Sequence, residues 1–276
     1  MSPAATLVEA LEPLRSDPSR SAVLLDIDGT LAPIVRHADD AHVPEATRSL
    51  LIEIAKRYRL VGCVSGRRAA TARQIVAIGS IAYVGNHGGE LLRPGATRPE
   101  LDPELAAWSE RVRAFAARVY TSEHQRLRVR AEDKQAIAAF HWRGAPDEDA
   151  AAAAAREIAA RAEQEGFAVH WGRKVLEVRP PVELNKGLGV IALLEGRHPS
   201  PLRPESSALH AALYVGDDAT DLDAFRGLRS LVQRGRLARA ICVAVRSDEA
   251  PPALLAEADL AIDGPEGVRA LLEALL

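Results

Sequence analysis

Two acidic clusters carry most of the chemistry written in this chain. The first is "DIDGT", residues 26–30, where Asp26 and Asp28 close the apolar run "SAVLL". The second is "GDDATD", residues 216–221, where Asp217, Asp218 and Asp221 close the run "AALYV", and Asp223 follows. Ionised carboxylates crowded at the ends of hydrophobic segments cost several kcal/mol unless something positive lies between them. Oxygen ligands beside an anionic substrate suit Mg²⁺. In "VSGR", Ser65 and the Gly66 backbone offer hydroxyl and amide donors to a phosphoryl oxygen, with Arg67 next to them. "LNKG" adds Lys186, whose ammonium can neutralise charge that develops during phosphoryl transfer. Only four of the 35 basic residues are lysine (Lys56, Lys134, Lys174 and Lys186), so a retained lysine marks a position that wants a compact point charge.

The elements that must position these groups follow from hydrophobic periodicity. Short apolar runs alternate with segments of helical period: "SAVLLDID" then "PEATRSLLIEIAKRY", "RLVGCVSGR" then "AATARQIVAIG", then "IAYVGNHGGEL". The alternation resumes with "NKGLGVIALLEG", "AALYVGDDATDLDAFRGL", "ARAICVAV" and "EGVRALLEALL". This is the pattern of an α/β fold, a Rossmann-like parallel sheet flanked by helices, whose ligands gather at the carboxyl ends of the strands. Residues 93–180 read differently. They hold a long helical pattern, strands in "RLRVRAED" and "AIAAFHWR", an Ala-rich helix with charged flanks that suits a solvent-facing position, and strands in "FAVHWG" and "VLEVRP". The expected organisation is a core of residues 1–92 and 181–276 with an α+β cap, residues 93–180, inserted into it.

Composition bounds the partners. With 47% hydrophobic and 26% charged residues and a net charge of −3, the chain carries no global basic field for nucleic acid or an acidic membrane surface. A small polar substrate is expected instead, with no nucleic acid and no membrane partner, and a monomer suffices for it. The N-terminal segment has no basic region followed by an apolar core, and no run of about 20 apolar residues occurs, so the expected location is cytoplasmic. Cys63 and Cys242 sit in apolar stretches and read as core residues.

On "DIDGT", Ser65, Lys186 and "GDDATD", in that order, the chain resembles the haloacid-dehalogenase-like phosphatases, with the cap placed between the Ser and Lys motifs. More narrowly, "GNHGGE", "AEDKQAIAAFHWR", "VLEVRP", "LNKG" and "GDDATDLDAF" resemble the trehalose-6-phosphate phosphatases. Leu222 departs from that family's more acidic "TDED", and "VRSDEAPPALL" lacks its tyrosine-bearing stretch.

The resemblance implies an Mg²⁺-dependent sugar-phosphate phosphatase. Asp26 would be the nucleophile and Asp28 the general acid and base. Asp26, the Asp28 carbonyl and Asp217 would hold the metal, with Asp218 or Asp221 completing or orienting the shell. Thr30, Ser65 and Lys186 would hold the phosphoryl oxygens. His87, which could equally fix its loop, would lie at the substrate with Glu132, Lys134, Arg143 and Glu177 of the cap. Glu132 and Lys134, two apart in a strand, are expected on one face. His141 and Trp142 read as part of an alternating strand with one face in the cap core. Other sugar phosphates (glucosylglycerol phosphate, sucrose phosphate, mannosyl-3-phosphoglycerate) are the alternative substrates. A non-catalytic partner of a trehalose-phosphate synthase is the alternative from another class.

Overall fold

The structure is a computed structural model that describes residues 3–35, 40–196, 209–247 and 250–276. Its first elements are α1 (Pro3–Arg15), β1 (Ser21–Leu25), α2 (Glu45–Arg57), β2 (Leu60–Val64), α3 (Ala69–Val76), β3 (Ala82–Gly85), β4 (Glu90–Leu92) and β5 (Glu100–Leu101). There follow α4 (Pro103–Val119), α5 (Ser122–Arg126), β6 (Arg130–Asp133), β7 (Ala138–His141), α6 (Glu148–Gln164), β8 (Ala168–Gly172) and β9 (Val175–Arg179). The last are α7 (Lys186–Glu195), β10 (Ala211–Gly216), α8 (Asp221–Gln233), β11 (Arg239–Arg246), α9 (Pro252–Glu257), β12 (Leu260–Asp263) and α10 (Gly264–Leu275). The chain divides into two compact units, residues 1–100 with 184–276, and residues 101–183.

The first unit is built on an eight-stranded sheet of order β12-β11-β10-β1-β2-β3-β4-β5. Strands β12 to β3 run parallel, and β4 turns back antiparallel on β3. Parallel strands covered on both faces read as unbroken hydrophobic runs, which is why every residue of "SAVLL" is buried. Their alternation still sorts the two layers. Val23 and Leu25 pack with Leu11, Leu51, Ile54, Ala72 and Leu271 of α1, α2, α3 and α10. Ala22 and Leu24 join Val190, Phe225, Leu228 and Leu254 of α7, α8 and α9. The chain moves outward through β1, β2 and β3 and later returns to pair β10 against the other edge of β1. That reversal puts a topological switch point between β1 and β10, where ligand crevices open in such sheets.

Residues 93–100, which the sequence pattern assigns to the insertion, fall in the first unit. Here β4 and the start of β5 extend the core sheet, and Arg93 Nε donates to Glu100 Oε1 at 2.9 Å.

The second unit is a two-layer α+β module. Its four-stranded sheet, order β6-β7-β9-β8, is antiparallel throughout. One face buries Ala138, Phe140, Leu176 and Val178 against Val112, Phe115 and Val119 of α4 and against α6. The Ala-rich α6 is not simply a solvent-facing helix. Ala151, Ala155, Ala159 and Ala162 form a buried stripe along it, because small side chains at helical spacing let its backbone lie close to the sheet. Among the described residues no helix is long and apolar enough to cross a membrane.

Candidate active site

The carboxyl ends of β1, β2, β3 and β10 are neighbours, so Asp26, Ser65, His87 and Asp217 are brought together by strand order alone. Asp26 follows β1 and is 4% exposed, Asp217 follows β10 and is 5% exposed, and Asp221 opens α8 with no exposure. One carboxylate oxygen from each of these three lies within 4.8 Å of the others.

Lys186, the first residue of α7, reaches into this cluster. Its Nζ donates to Asp26 Oδ1 and to Asp221 Oδ1, both at 2.7 Å. Burial works against a charged lysine there, but Asp221 and Asp26 outweigh it and hold the ammonium well above its ordinary range. One cation does not balance the cluster. Burial pushes the Asp26 carboxyl well up despite Lys186, and Asp221, Asp217 and Asp218 add to the rise. Asp217 is pushed up to about 7 by burial and then by Asp221, although the Thr30 hydroxyl opposes the shift.

The roles within the acidic cluster separate by hydrogen-bond count. Asp221 Oδ1 accepts from Lys186 Nζ and from the Tyr214 hydroxyl at 2.7 Å, and its Oδ2 accepts from the Asp217 and Asp218 amides at 2.9 and 3.0 Å. Those four donors use the acceptor capacity of a carboxylate. Asp221 therefore shapes the loop after β10 and anchors the lysine. Asp218, partly exposed, spends Oδ1 on the Thr220 amide and hydroxyl at 2.8 and 2.6 Å. Burial raises its carboxyl, but Lys186 and the Thr220 donors prevail and hold it below the usual range. Asp26 and Asp217, which accept fewer hydrogen bonds, are the carboxylates with oxygen to offer a cation. Buried carboxylates whose charge is under-compensated fit a hard divalent ion such as Mg²⁺.

Gly29 and Thr30 fit the cluster from the other side. The Thr30 hydroxyl donates to Asp217 Oδ1 at 3.0 Å, so this side chain, expected on phosphate, is committed to a candidate metal ligand. Gly29 has φ +89°, and a Cβ there would lie 2.1 Å from Asp217 Oδ2. Backbone conformation and close approach both demand glycine.

The turn after β2 holds Ser65, Gly66 and Arg67. Ser65 is buried, and its Oγ accepts the Arg67 amide at 3.2 Å. The Arg67 guanidinium is turned onto Asp28, with Nε 2.6 Å from Oδ2 and Nη2 2.7 Å from Oδ1. His87 and Asn86 both take left-handed backbone, φ 54° and 48°. The His87 ring lies where a side chain on residue 66 would be, 2.6 Å from an ideal Cβ, so Gly66 is needed to seat it. His87 thus shapes the serine turn. Glu90 is fully committed inside, accepting the Ala69 amide and Asn86 Nδ2, each at 2.8 Å.

In the second unit, register assembles the expected residues on the sheet face opposite the helices. Glu132 pairs with Ala139, Ala139 with Glu177, and Glu177 with His170, so these four share one face. The expectation that Lys134 lies in the strand with Glu132 fails by one residue. β6 ends at Asp133, whose Oδ1 accepts the Gln135 amide at 2.7 Å and turns the chain, with Gln135 at φ +69°. Lys134 still reaches the face, because its Nζ donates to Glu177 Oε1 at 2.7 Å. Arg143 does not join that cluster by any contact described. It is exposed beyond β7 and donates to the Arg173 carbonyl at 3.5 Å.

Two further residues join this face. Arg179 donates Nε to Glu177 Oε2 at 2.9 Å, and Nη2 to the same oxygen. His141 Nε2 lies 2.8 Å from Glu132 Oε2, and that hydrogen bond is the first cause holding the Glu132 carboxyl below its usual range. Strand parity was the available signal: Arg179 is two from Glu177, and His141 falls on the Glu132 face once β6 and β7 are paired.

The fold, a parallel sheet with acidic residues after two adjacent strands at its switch point, is shared with solved structures. A haloacid dehalogenase-like hydrolase from Bacteroides thetaiotaomicron superposes with a TM-score of 0.60 at 15% identity, covering 93% of this chain and 99% of its own. The model of the trehalose-phosphatase family matches residues 24–254, and the chain belongs to that family. The C-terminal domain of C. albicans trehalose-6-phosphate phosphatase superposes with a TM-score of 0.72 at 23% identity, over 99% of this chain and 96% of that one. A trehalose-phosphate phosphatase of Mycobacterium marinum is 34% identical over 209 residues, 75% of this chain and 51% of its own length. The curated relatives are longer: the chain covers 15% to 58% of their lengths.

Proposed function

We propose that this chain is an Mg²⁺-dependent phosphatase that hydrolyses trehalose 6-phosphate to trehalose and phosphate through an aspartyl-phosphate, in the cytoplasm. The observation that carries the reading is Asp26: a buried carboxylate at the switch point, paired to Lys186 at 2.7 Å and clustered with Asp217 and Asp221.

Asp26 and Asp217 would hold the metal, with the Asp28 carbonyl. When bound, Mg²⁺ supplies charge neutralisation for the phosphoryl group. An oxygen of Asp26 attacks phosphorus while the bond from phosphorus to the sugar oxygen breaks, and Asp28 gives that oxygen a proton. Asp28 then takes a proton from water as the water oxygen attacks phosphorus. The Asp26–phosphorus bond breaks, restoring the carboxylate and releasing phosphate. Lys186 stabilises charge on the phosphoryl oxygens, and the Ser65 turn supplies hydrogen-bond donors. Residues 101–183 serve as the cap, in which Glu132, Lys134 and Glu177 recognise the sugar.

Phosphate release from a panel of sugar phosphates tests this reading. Trehalose 6-phosphate is expected to be the best substrate. A preference for sucrose phosphate, glucosylglycerol phosphate or mannosyl-3-phosphoglycerate would reassign it, and no release from any would leave a non-catalytic role. Glu132→Ala is expected to lower kcat/KM for trehalose 6-phosphate about 10²-fold, because groups built to bond a sugar hydroxyl discriminate strongly.

A further inference from the structure

On the sheet face that carries Glu132 and Glu177, the two carboxylates differ in what they have left to give. Glu177 is 5% exposed, and both of its oxygens are already engaged, Oε1 by Lys134 and Oε2 by two N–H groups of Arg179. Three donors already use most of the acceptor capacity of a carboxylate. A sugar ring laid along this row therefore needs a further polar group beside Glu177.

Register supplies one. His170 of β8 is the direct cross-strand partner of Glu177, on the same face, and is exposed. The row Glu132, Ala139, Glu177, His170 crosses four strands, a span of about 14 Å at the usual strand spacing. Its second member, Ala139, is a fully buried methyl group between the polar members of the row. We propose that His170 is a specificity-determining residue of the cap, one that hydrogen-bonds a hydroxyl of the ring of the sugar phosphate remote from the phosphate. The proposal rests on the cap reading given above and names a contact beyond it.

The state of the imidazole suits that task. Partial burial, then the Arg179 guanidinium, hold its pKa below the ordinary histidine range, while Glu177 opposes the shift. A neutral imidazole carries one donor and one acceptor, the pairing a hydroxyl group needs.

The test is steady-state kinetics of His170→Ala, His170→Gln and Glu132→Ala on trehalose 6-phosphate and p-nitrophenyl phosphate. His170→Ala is expected to raise KM for trehalose 6-phosphate about tenfold with kcat within about twofold, one lost neutral hydrogen bond. The selectivity for trehalose 6-phosphate over p-nitrophenyl phosphate should fall by the same factor. His170→Gln, which keeps a donor and an acceptor, should recover most of it. If Glu132→Ala loses that selectivity and His170→Ala keeps it, the His170 contact is wrong and the cap reading stands. Equal losses on both substrates would assign His170 to folding and also overturn the proposal. A wild-type enzyme inactive on trehalose 6-phosphate would remove the reading beneath it.

Discussion

Arg67 grips Asp28 with two parallel hydrogen bonds, Nε to Oδ2 at 2.6 Å and Nη2 to Oδ1 at 2.7 Å. The pair joins the loop after β1 to the turn after β2. It fixes the direction of the carboxyl proposed to move protons, and it also occupies both oxygens. A phosphate dianion is the competitor that can draw the guanidinium away, since Arg binds phosphate and carboxylate through the same planar fork.

Arg67→Ala is therefore expected to lower kcat/KM about 10²-fold, and Arg67→Lys to recover little, because an ammonium cannot reproduce two parallel bonds. Steady-state kinetics on trehalose 6-phosphate checks this. Full activity in Arg67→Lys would mean that charge alone suffices.

Asp26→Asn should abolish covalent labelling. Rapid quench of the wild type with substrate labelled in phosphate is expected to leave label on protein, and the variant none. Label retained on the variant would place the nucleophile elsewhere.

The acidic cluster predicts a metal-dependent pH profile of stability. Asp217 in the folded protein is pushed up to about 7, above the ordinary value of 3.8 for an Asp carboxyl. Between those values the native state binds more protons than the unfolded state, so metal-free stability falls as pH rises through that window. Thermal melts in chelator should show Tm falling from pH 5 to pH 8. Mg²⁺ should flatten that slope, as should Asp217→Asn without metal, and chelation should abolish turnover. A slope indifferent to Mg²⁺ would refute the metal site.

Gly29→Ala should destabilise the fold and impair activity together, since its Cβ would meet Asp217 Oδ2 at 2.1 Å on backbone that L residues avoid. An expected loss of about 2 kcal/mol or more is readable from chemical denaturation. Unchanged stability and turnover would show that the loop after β1 can yield.

The parts legible in the sequence were those that local pattern dictates. "SAVLL" ending in Asp26 announces a buried parallel strand with an acidic end, and Ser65 and Asp217 likewise follow the ends of β2 and β10. What stayed hidden depends on pairing across the chain. Thr30 was expected on phosphate, yet its hydroxyl goes to Asp217, 187 positions away. Asp221 could not be distinguished from Asp218 until its four donors were in place. The Lys134 turn was missed because Asp133 bonds the chain two residues ahead, a local competition that strand periodicity does not register.

Strand β1 has a consequence for how this protein is made. Its Ser21–Leu25 edge toward β2 is matched early, but Ser21 pairs on the other side with Ala211, so that partner emerges about 190 residues later. At ribosomal rates of roughly 5–20 residues per second, the gap is on the order of 10–40 s. Throughout it, the five residues of β1, four of them apolar, present an open hydrogen-bonding edge, the feature that promotes strand addition from other chains. Strand β1 thus keeps one hydrogen-bonding edge open in the nascent chain until residue 216 has been synthesised.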